Sequence, residues 1–230
     1  MKLSLLSGGA AQGLVGALAP QFKAATGCDI DGTFSAVGAM RDKLLAGAPA
    51  DLVILTRALV AGLMPDQVVA GSSLDLGTVL TGIAVRAGDP SPAVGDPAGL
   101  RGALAAADAI YFPDPKLATA GIHFAKVIDE LGLTAETASR LRPFSNGATA
   151  MRELAGATSA RPIGCTQETE ILATPGIVYV APLPKELELA TVYTVGICAG
   201  AREPALARQF AAMLTAPASQ DLRRRLGFRG

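Results

Sequence analysis

A short apolar run that ends in a turn of glycine, alanine and serine and opens directly into an amphipathic helix recurs along this chain, and nothing else in the sequence constrains the fold as strongly. Residues 2–6 lead into Ser7-Gly8-Gly9-Ala10-Ala11-Gln12-Gly13, and residues 28–34 lead into Ser35-Ala36-Val37-Gly38. A third turn of the same kind, Thr119-Ala120-Gly121, follows the apolar stretch 109–112. Alternation of strand-like and helix-like runs is the pattern of an α/β protein. The start of a helix carries unpaired backbone N–H groups and the positive end of the helix dipole. It can therefore hold an anion without any charged side chain. Turns of this kind predict a pocket that grips a small anion.

Several function classes are disfavoured by composition. The 230 residues hold 20 Lys+Arg and 20 Asp+Glu, so there is no basic excess for a nucleic-acid backbone. Three Tyr, seven Phe and no Trp leave few rings for base stacking. Cys28, Cys165 and Cys198 are widely spaced, lack a CxxC pattern and read as small buried thiols. With His123 the only histidine, no zinc site is expected, and no acidic spacing demands another metal. No cofactor is expected either. No stretch approaches the roughly 20 apolar residues needed to span a bilayer, and the run Leu3 to Leu6 is short for a signal-peptide core. The expectation is a cytoplasmic protein with a small anionic ligand, no nucleic acid and no membrane; its oligomeric state is not legible. Arg223, Arg224 and Arg225 are expected on a solvated helix face.

Leu14, Leu18 and Phe22 recur every four residues and mark the first helix; Met40, Leu44 and Leu45 mark the second. Residues 51–55 read as a buried strand, 57–64 as a short helix, 100–108 as a helix, and 141–144, 162–167 and 177–180 as strands. Two long extended runs, 78–86 and 191–198, are the candidates for strands that cross between two lobes. Lobe one would hold residues 1–80 and 195–230, and lobe two residues 81–194. A ligand would then sit in an interlobe cleft, near the carboxyl ends of the strands.

Among polar residues, Ser7, Ser35, Thr119, Asn146 and Thr149 stand at or beside the turns, where hydroxyl and amide groups could join the backbone N–H groups of Gly8, Gly9, Gly38, Ala120 and Gly121. The spacing of Ser7 to Gly13 matches neither a P-loop nor a dinucleotide fingerprint. His123, near the start of its helix, reads either as a surface or capping residue or as a neutral acid/base group. Glu168 and Glu170 read either as ordinary helix-opening acids or as a source of one general base, with Glu168 the choice. Two carboxylates beside an anionic ligand would repel it, so at most one should face the site. Lys116, Arg41 and Arg57 are further candidates to offset ligand charge.

The segment LAPQFKAATGCDIDGTFSAVGAMRDKLLAGAPADLVIL resembles the first lobe of the molybdate-binding-protein-like solute-binding family, with AGAPADL at Ala46 to Leu52 its most specific part. DPKLATAGIHFAKVIDELGL, from Asp114 to Leu133, resembles the family's second anion-binding turn, and LTAPASQDLRRRLGF, from Leu214 to Phe228, its last helix. The resemblance implies a two-lobed, type II periplasmic-binding-protein fold with a central cleft and two crossing strands. It also implies site positions. Where molybdate binders place hydroxyl donors, this chain has Ala10, Val37 and Gln167. Each lost donor leaves a buried oxyanion oxygen unpaired, at roughly 1–3 kcal/mol apiece. The set SGGAAQG, FSAVGAM, TAGIHFAKV and GCTQETEI is closer to a branch that resembles aconitate isomerase. The expectation is a solute-binding-like protein for a small organic carboxylate or oxyanion. The alternatives are an isomerase that shifts an allylic proton on an unsaturated polycarboxylate, and a transporter solute-binding protein for molybdate or another oxyanion.

Overall fold

Parallel strands need a crossover helix between them, and a chain that alternates strand and helix meets that need at each step. The computed structural model describes residues Met1–Gly230. In chain order it runs β1 (Lys2–Gly8), α1 (Gln12–Thr26), β2 (Asp29–Ser35), α2 (Val37–Leu45), β3 (Leu52–Thr56) and α3 (Arg57–Gly62). It continues with β4 (Leu74–Arg86), α4 (Pro97–Ala106), β5 (Ala109–Pro113), α5 (Thr119–Glu130), α6 (Thr134–Thr137), β6 (Leu141–Phe144) and α7 (Gly147–Ala155). The remainder is β7 (Pro162–Gln167), α8 (Glu168–Leu172), β8 (Ile177–Pro182), β9 (Ala190–Ile197), α9 (Pro204–Thr215) and α10 (Gln220–Arg225).

The chain divides into two compact units, Met1–Val79 with Thr191–Gly230, and Leu80–Ala190. It passes from the first to the second within β4 and returns within β9. In the first unit the strand order is β2-β1-β3-β9, with β1, β2 and β3 parallel and β9 antiparallel to β3. In the second, β7-β5-β6 are parallel, and β4 runs antiparallel to both β7 and β8. The parallel trio has the same plan in both units: the first strand in sequence lies between the second and the third. β1 is flanked by β2 and β3, as β5 is by β6 and β7. No internal repeat in the sequence announces this.

Each unit has its own core. In the first, α1 buries Leu14, Val15, Leu18 and Phe22, and Phe22 meets Phe210 of α9 with ring centroids 4.9 Å apart. Burying each such side chain stabilises by about 1.5–3 kcal/mol. Gly27, at φ 71°, ends α1 in the left-handed conformation that only glycine adopts freely. Asp51 is 3% exposed and accepts from the N–H groups of Ser4, Arg202 and Glu203, tying β1 to the segment before α9. In the second unit Ile83, Leu100, Leu104, Ile110, Phe112 and Phe124 form one side of the core, and Met151, Leu154 and Ile171 the other.

Several elements begin earlier or end later than the residue pattern predicts. The helix expected at 100–108 starts at Pro97, because Asp96 accepts from Gly99 N–H and Pro97 fits the first helical position. The strand expected at 78–86 starts at Leu74. The three cysteines are buried and free, as expected. The arginine cluster is not wholly a solvated face. Arg223 donates to the carbonyls of Leu214 and Ala216 at the end of α9, and burial lowers its pKa.

Candidate anion-binding site

In each unit the three parallel strands deliver three helix starts to one edge of the sheet. In the first unit Gly8 pairs with Ser35, and Ser7 with Ile54, so the ends of β1, β2 and β3 lie side by side. In the second unit Pro113 pairs with Phe144, and β7 runs parallel on the other side of β5. The openings of α5, α7 and α8 follow those three strands.

The openings differ in what fills them. At α3, α4 and α7 a side chain from the chain itself takes the free N–H groups: Thr56 accepts from Leu59, Asp96 from Gly99, and Asn146 from Thr149. At α1, α2 and α5 no side chain caps the helix. α6, α8, α9 and α10 lack a side-chain cap too, but α9 starts with Pro204, which has no N–H to satisfy, and α6, α8 and α10 are helices of only 4, 5 and 6 residues. The uncapped openings α1, α2 and α5 are the three turns that the sequence singles out, and their N–H groups suit an acceptor-only ligand.

Ser7 is fully buried, and its hydroxyl donates to the Gly8 carbonyl at 2.9 Å. Gly8, Gly9 and Ala10 form the turn itself, with Ala10 3% exposed in a 3-10 segment that leads into α1. A Cβ at Gly8 would come within 2.6 Å of Val37 Cγ1 and 3.2 Å of Tyr193 Cε1, so the openings of α1 and α2 are packed together. Ser35 closes β2 half-buried; Val37 and Gly38 are the first two residues of α2, both buried. Ala10 and Val37 therefore present methyl groups where the resemblance places hydroxyls.

In the second unit Thr119 and Ala120 begin α5. Gly121 sits so close to the end of β5 that a Cβ would lie 2.3 Å from the carbonyl oxygens of Pro113 and Asp114. His123 is the fifth residue of α5 rather than part of its first turn, because the helix starts at Thr119. Its Nε2 bonds to the Leu187 carbonyl at 2.7 Å, which commits that nitrogen as the donor. Asn146 and Thr149 are engaged with each other across the cap of α7. Lys116 is exposed, Arg41 pairs with Asp42, and Arg57 pairs with Asp75, which in turn accepts from Thr194.

Glu168 and Glu170 open α8, both buried at 8% and 7% exposure. The carboxylate of Glu170 turns back to the start of α7. It accepts from the Thr166 hydroxyl at 2.6 Å and from the N–H groups of Ala148 and Gln167. A Cβ at Gly147 would overlap it, at 1.9 Å from Oε2, so any larger residue there would displace the carboxylate. Burial pushes the Glu170 carboxyl from the usual 4.5 up to about 7, against the pull of its three donors. The opening of α7 is thus occupied by the protein's own acid. From the sequence Glu170 reads only as a companion to Glu168. The contact that defines it joins β7, α7 and α8 in space and has no local signature.

Gln167 ends β7. It is 2% exposed, and neither its amide oxygen nor its amide nitrogen has a hydrogen-bond partner. Its partner across the β4–β7 ladder is Thr81, fully buried, whose hydroxyl is also unpartnered. Thr81 lies inside the apolar run of β4, and strand register is what brings it to Gln167. Thr169, two residues beyond Gln167, carries a third buried and unpartnered hydroxyl. Chemically, the first unit offers amide donors set in an apolar surround. The second offers amide donors at α5, an unpartnered polar pair, and a carboxyl that changes protonation near neutral pH.

A family model described as bacterial extracellular solute-binding protein matches residues 3–229. The aconitate isomerase of a Pseudomonas species is 27% identical over 233 residues, covering 95% of this chain and 83% of that protein. The molybdate-binding protein ModA of Escherichia coli strain K12 is 24% identical over 216 residues, covering 92% of this chain and 82% of that one. Among solved structures, the periplasmic molybdate-binding protein of Azotobacter vinelandii superposes with a TM-score of 0.82 at 19% identity, over 99% of both chains. With the α/β topology and these matches together, the chain has the type II periplasmic-binding-protein fold and belongs to the bacterial extracellular solute-binding protein family, on the molybdate-binding-like scaffold that an aconitate isomerase shares.

Proposed function

We propose that this protein binds small organic polycarboxylates at uncapped helix starts, those of α1 and α2 in the first unit and that of α5 in the second. One observation carries the choice of carboxylate over a tetrahedral metal oxyanion. The two openings of the first unit are lined by Ala10 and Val37, buried at 3% and 6% exposure, and neither supplies a hydroxyl. A compact oxyanion needs a donor on every oxygen, and backbone amides alone leave some of them bare. A polycarboxylate spreads its charge over a longer frame and meets apolar walls with its own carbon atoms. Thermal melting with citrate, trans-aconitate, phosphate and molybdate tests this. A carboxylate at 100 times its dissociation constant should add about 2.7 kcal/mol of stability, while molybdate adds none. Stabilisation by molybdate alone would reverse the assignment.

A second reading is an allylic proton shift on an unsaturated polycarboxylate. The similarity to an aconitate isomerase over 95% of this chain supports it. So does Glu170, a buried carboxyl with a pKa of about 7, the range where one group both takes and returns a proton. Proton NMR in heavy water with trans-aconitate reads this directly. Deuterium entering the allylic carbon supports catalysis, and tight binding without exchange supports a binder.

A further inference from the structure

Gln167 holds one amide that needs both a donor and an acceptor opposite it. Its Nε2 carries two hydrogens and its Oε1 two lone pairs, and all are buried without partners in a residue 2% exposed. Thr81 stands directly across the antiparallel β4–β7 ladder, so its side chain shares a sheet face with that of Gln167. The backbone of Thr81 is satisfied: its N–H donates to the Leu189 carbonyl at 3.1 Å and its C=O accepts from Leu183 at 3.0 Å. Only its hydroxyl is left over. Most buried side-chain polar groups in native proteins have a partner, so two adjacent side chains that lack one are unusual. A free carboxylate answers the Gln167 nitrogen alone, because it carries no proton for Oε1.

We propose that Gln167 and Thr81 recognise an α-hydroxycarboxylate group. The ligand hydroxyl donates to Gln167 Oε1, the adjacent carboxylate oxygen accepts from Gln167 Nε2, and the Thr81 hydroxyl donates to the second carboxylate oxygen. With the ligand taken to be the organic carboxylate proposed above, this pair selects among such acids for one that bears a hydroxyl beside a carboxylate. Fully deprotonated tetrahedral oxyanions such as molybdate, which bring acceptors only, leave Oε1 facing lone pairs and are rejected at the same place.

Citrate and tricarballylate differ by that single hydroxyl, and isothermal titration with each separates the possibilities. The wild-type protein should bind citrate about tenfold or more tightly than tricarballylate. Gln167→Met should bring the two affinities together, and Thr81→Val should narrow the gap. A second readout needs no ligand. Because the amide has no internal partner, ligand-free Gln167→Met should melt at or above the wild-type temperature. Equal affinity of the wild type for the two acids overturns this proposal and leaves carboxylate binding standing. A preference that survives in Gln167→Met, or a large loss of ligand-free stability in that variant, also overturns it. Failure of both acids to bind overturns it together with the carboxylate assignment.

Discussion

The Glu170 carboxylate accepts the Thr166 hydroxyl at 2.6 Å from the end of β7 and the N–H of Ala148, and so closes the start of α7 with an acid from α8. The chain thereby supplies its own anion to one helix opening while those of α1, α2 and α5 have no side-chain cap. The result is a division of labour within one type of local structure.

Replacing Glu170 with Gln should flatten the pH dependence of stability between about 4.5 and about 7. The folded-state pKa lies above the ordinary value, so the native state binds the proton more tightly than the unfolded chain. The stability that the protonated form contributes is complete below pH 4.5 and is lost as pH rises through about 7. The loss amounts to about 3 kcal/mol at most. Urea melts of wild type and variant at a series of pH values should converge at the acid end and separate in slope above it.

Gly121→Ala should destabilise by about 2–4 kcal/mol, because the new methyl would meet the carbonyl oxygens of Pro113 and Asp114 at 2.3 Å and backbone cannot swing aside. Gly102→Ala, on the exposed side of α4 with no atom within 4 Å, should instead stabilise by up to about 1 kcal/mol. Thermal unfolding of the two variants gives opposite signs for the same chemical change.

Removal of the Asp51 carboxylate by Asp51→Ala should cost about 2–5 kcal/mol. Three backbone N–H groups lose a charged acceptor, and the attachment of β1 to the start of α9 goes with them. Denaturant unfolding measures it. A cost under 1 kcal/mol would mean that water replaces the carboxylate there.

The combined variant Ala10→Ser, Val37→Ser, Gln167→Tyr should acquire stabilisation by molybdate that the wild type lacks. Each restored hydroxyl contributes roughly 1–3 kcal/mol when it meets an otherwise unpaired oxygen. Melting curves with and without molybdate show the change, and unchanged curves would separate ligand choice from these three positions.

Much of the fold was legible in the sequence, and the reason is local. Leu14, Leu18 and Phe22 lie on one helix face whatever the rest of the chain does, and the strand at Pro162–Gln167 stands where its apolar run predicts. Boundaries drifted where capping chemistry sets them, as at Asp96 and Pro97. The three turns whose helix starts have no side-chain cap were legible for the same reason, since small residues before a helix leave its first N–H groups open. The second unit's chemistry was less so. Asn146 and Thr149 looked like donors for a ligand, yet Asn146 caps its own helix through Thr149. His123 reads from the sequence as a surface or capping residue or as a neutral acid/base group, and the distant Leu187 carbonyl takes one of its nitrogens. Glu170 and Thr81 acquire their surroundings from a helix pair and a strand register, which no local pattern encodes.

The central claim is that backbone amides at the uncapped helix starts hold an organic anion, and amide chemical shifts measure it directly. Titration of the nitrogen-15-labelled protein with citrate should move the resonances of Gly9, Ala10, Val37 and Gly38 in the first unit and of Ala120 and Gly121 in the second saturably, with Gly99 in the capped opening of α4 unmoved. Saturable shifts confined to other residues, or equal shifts at capped and uncapped starts, would contradict it.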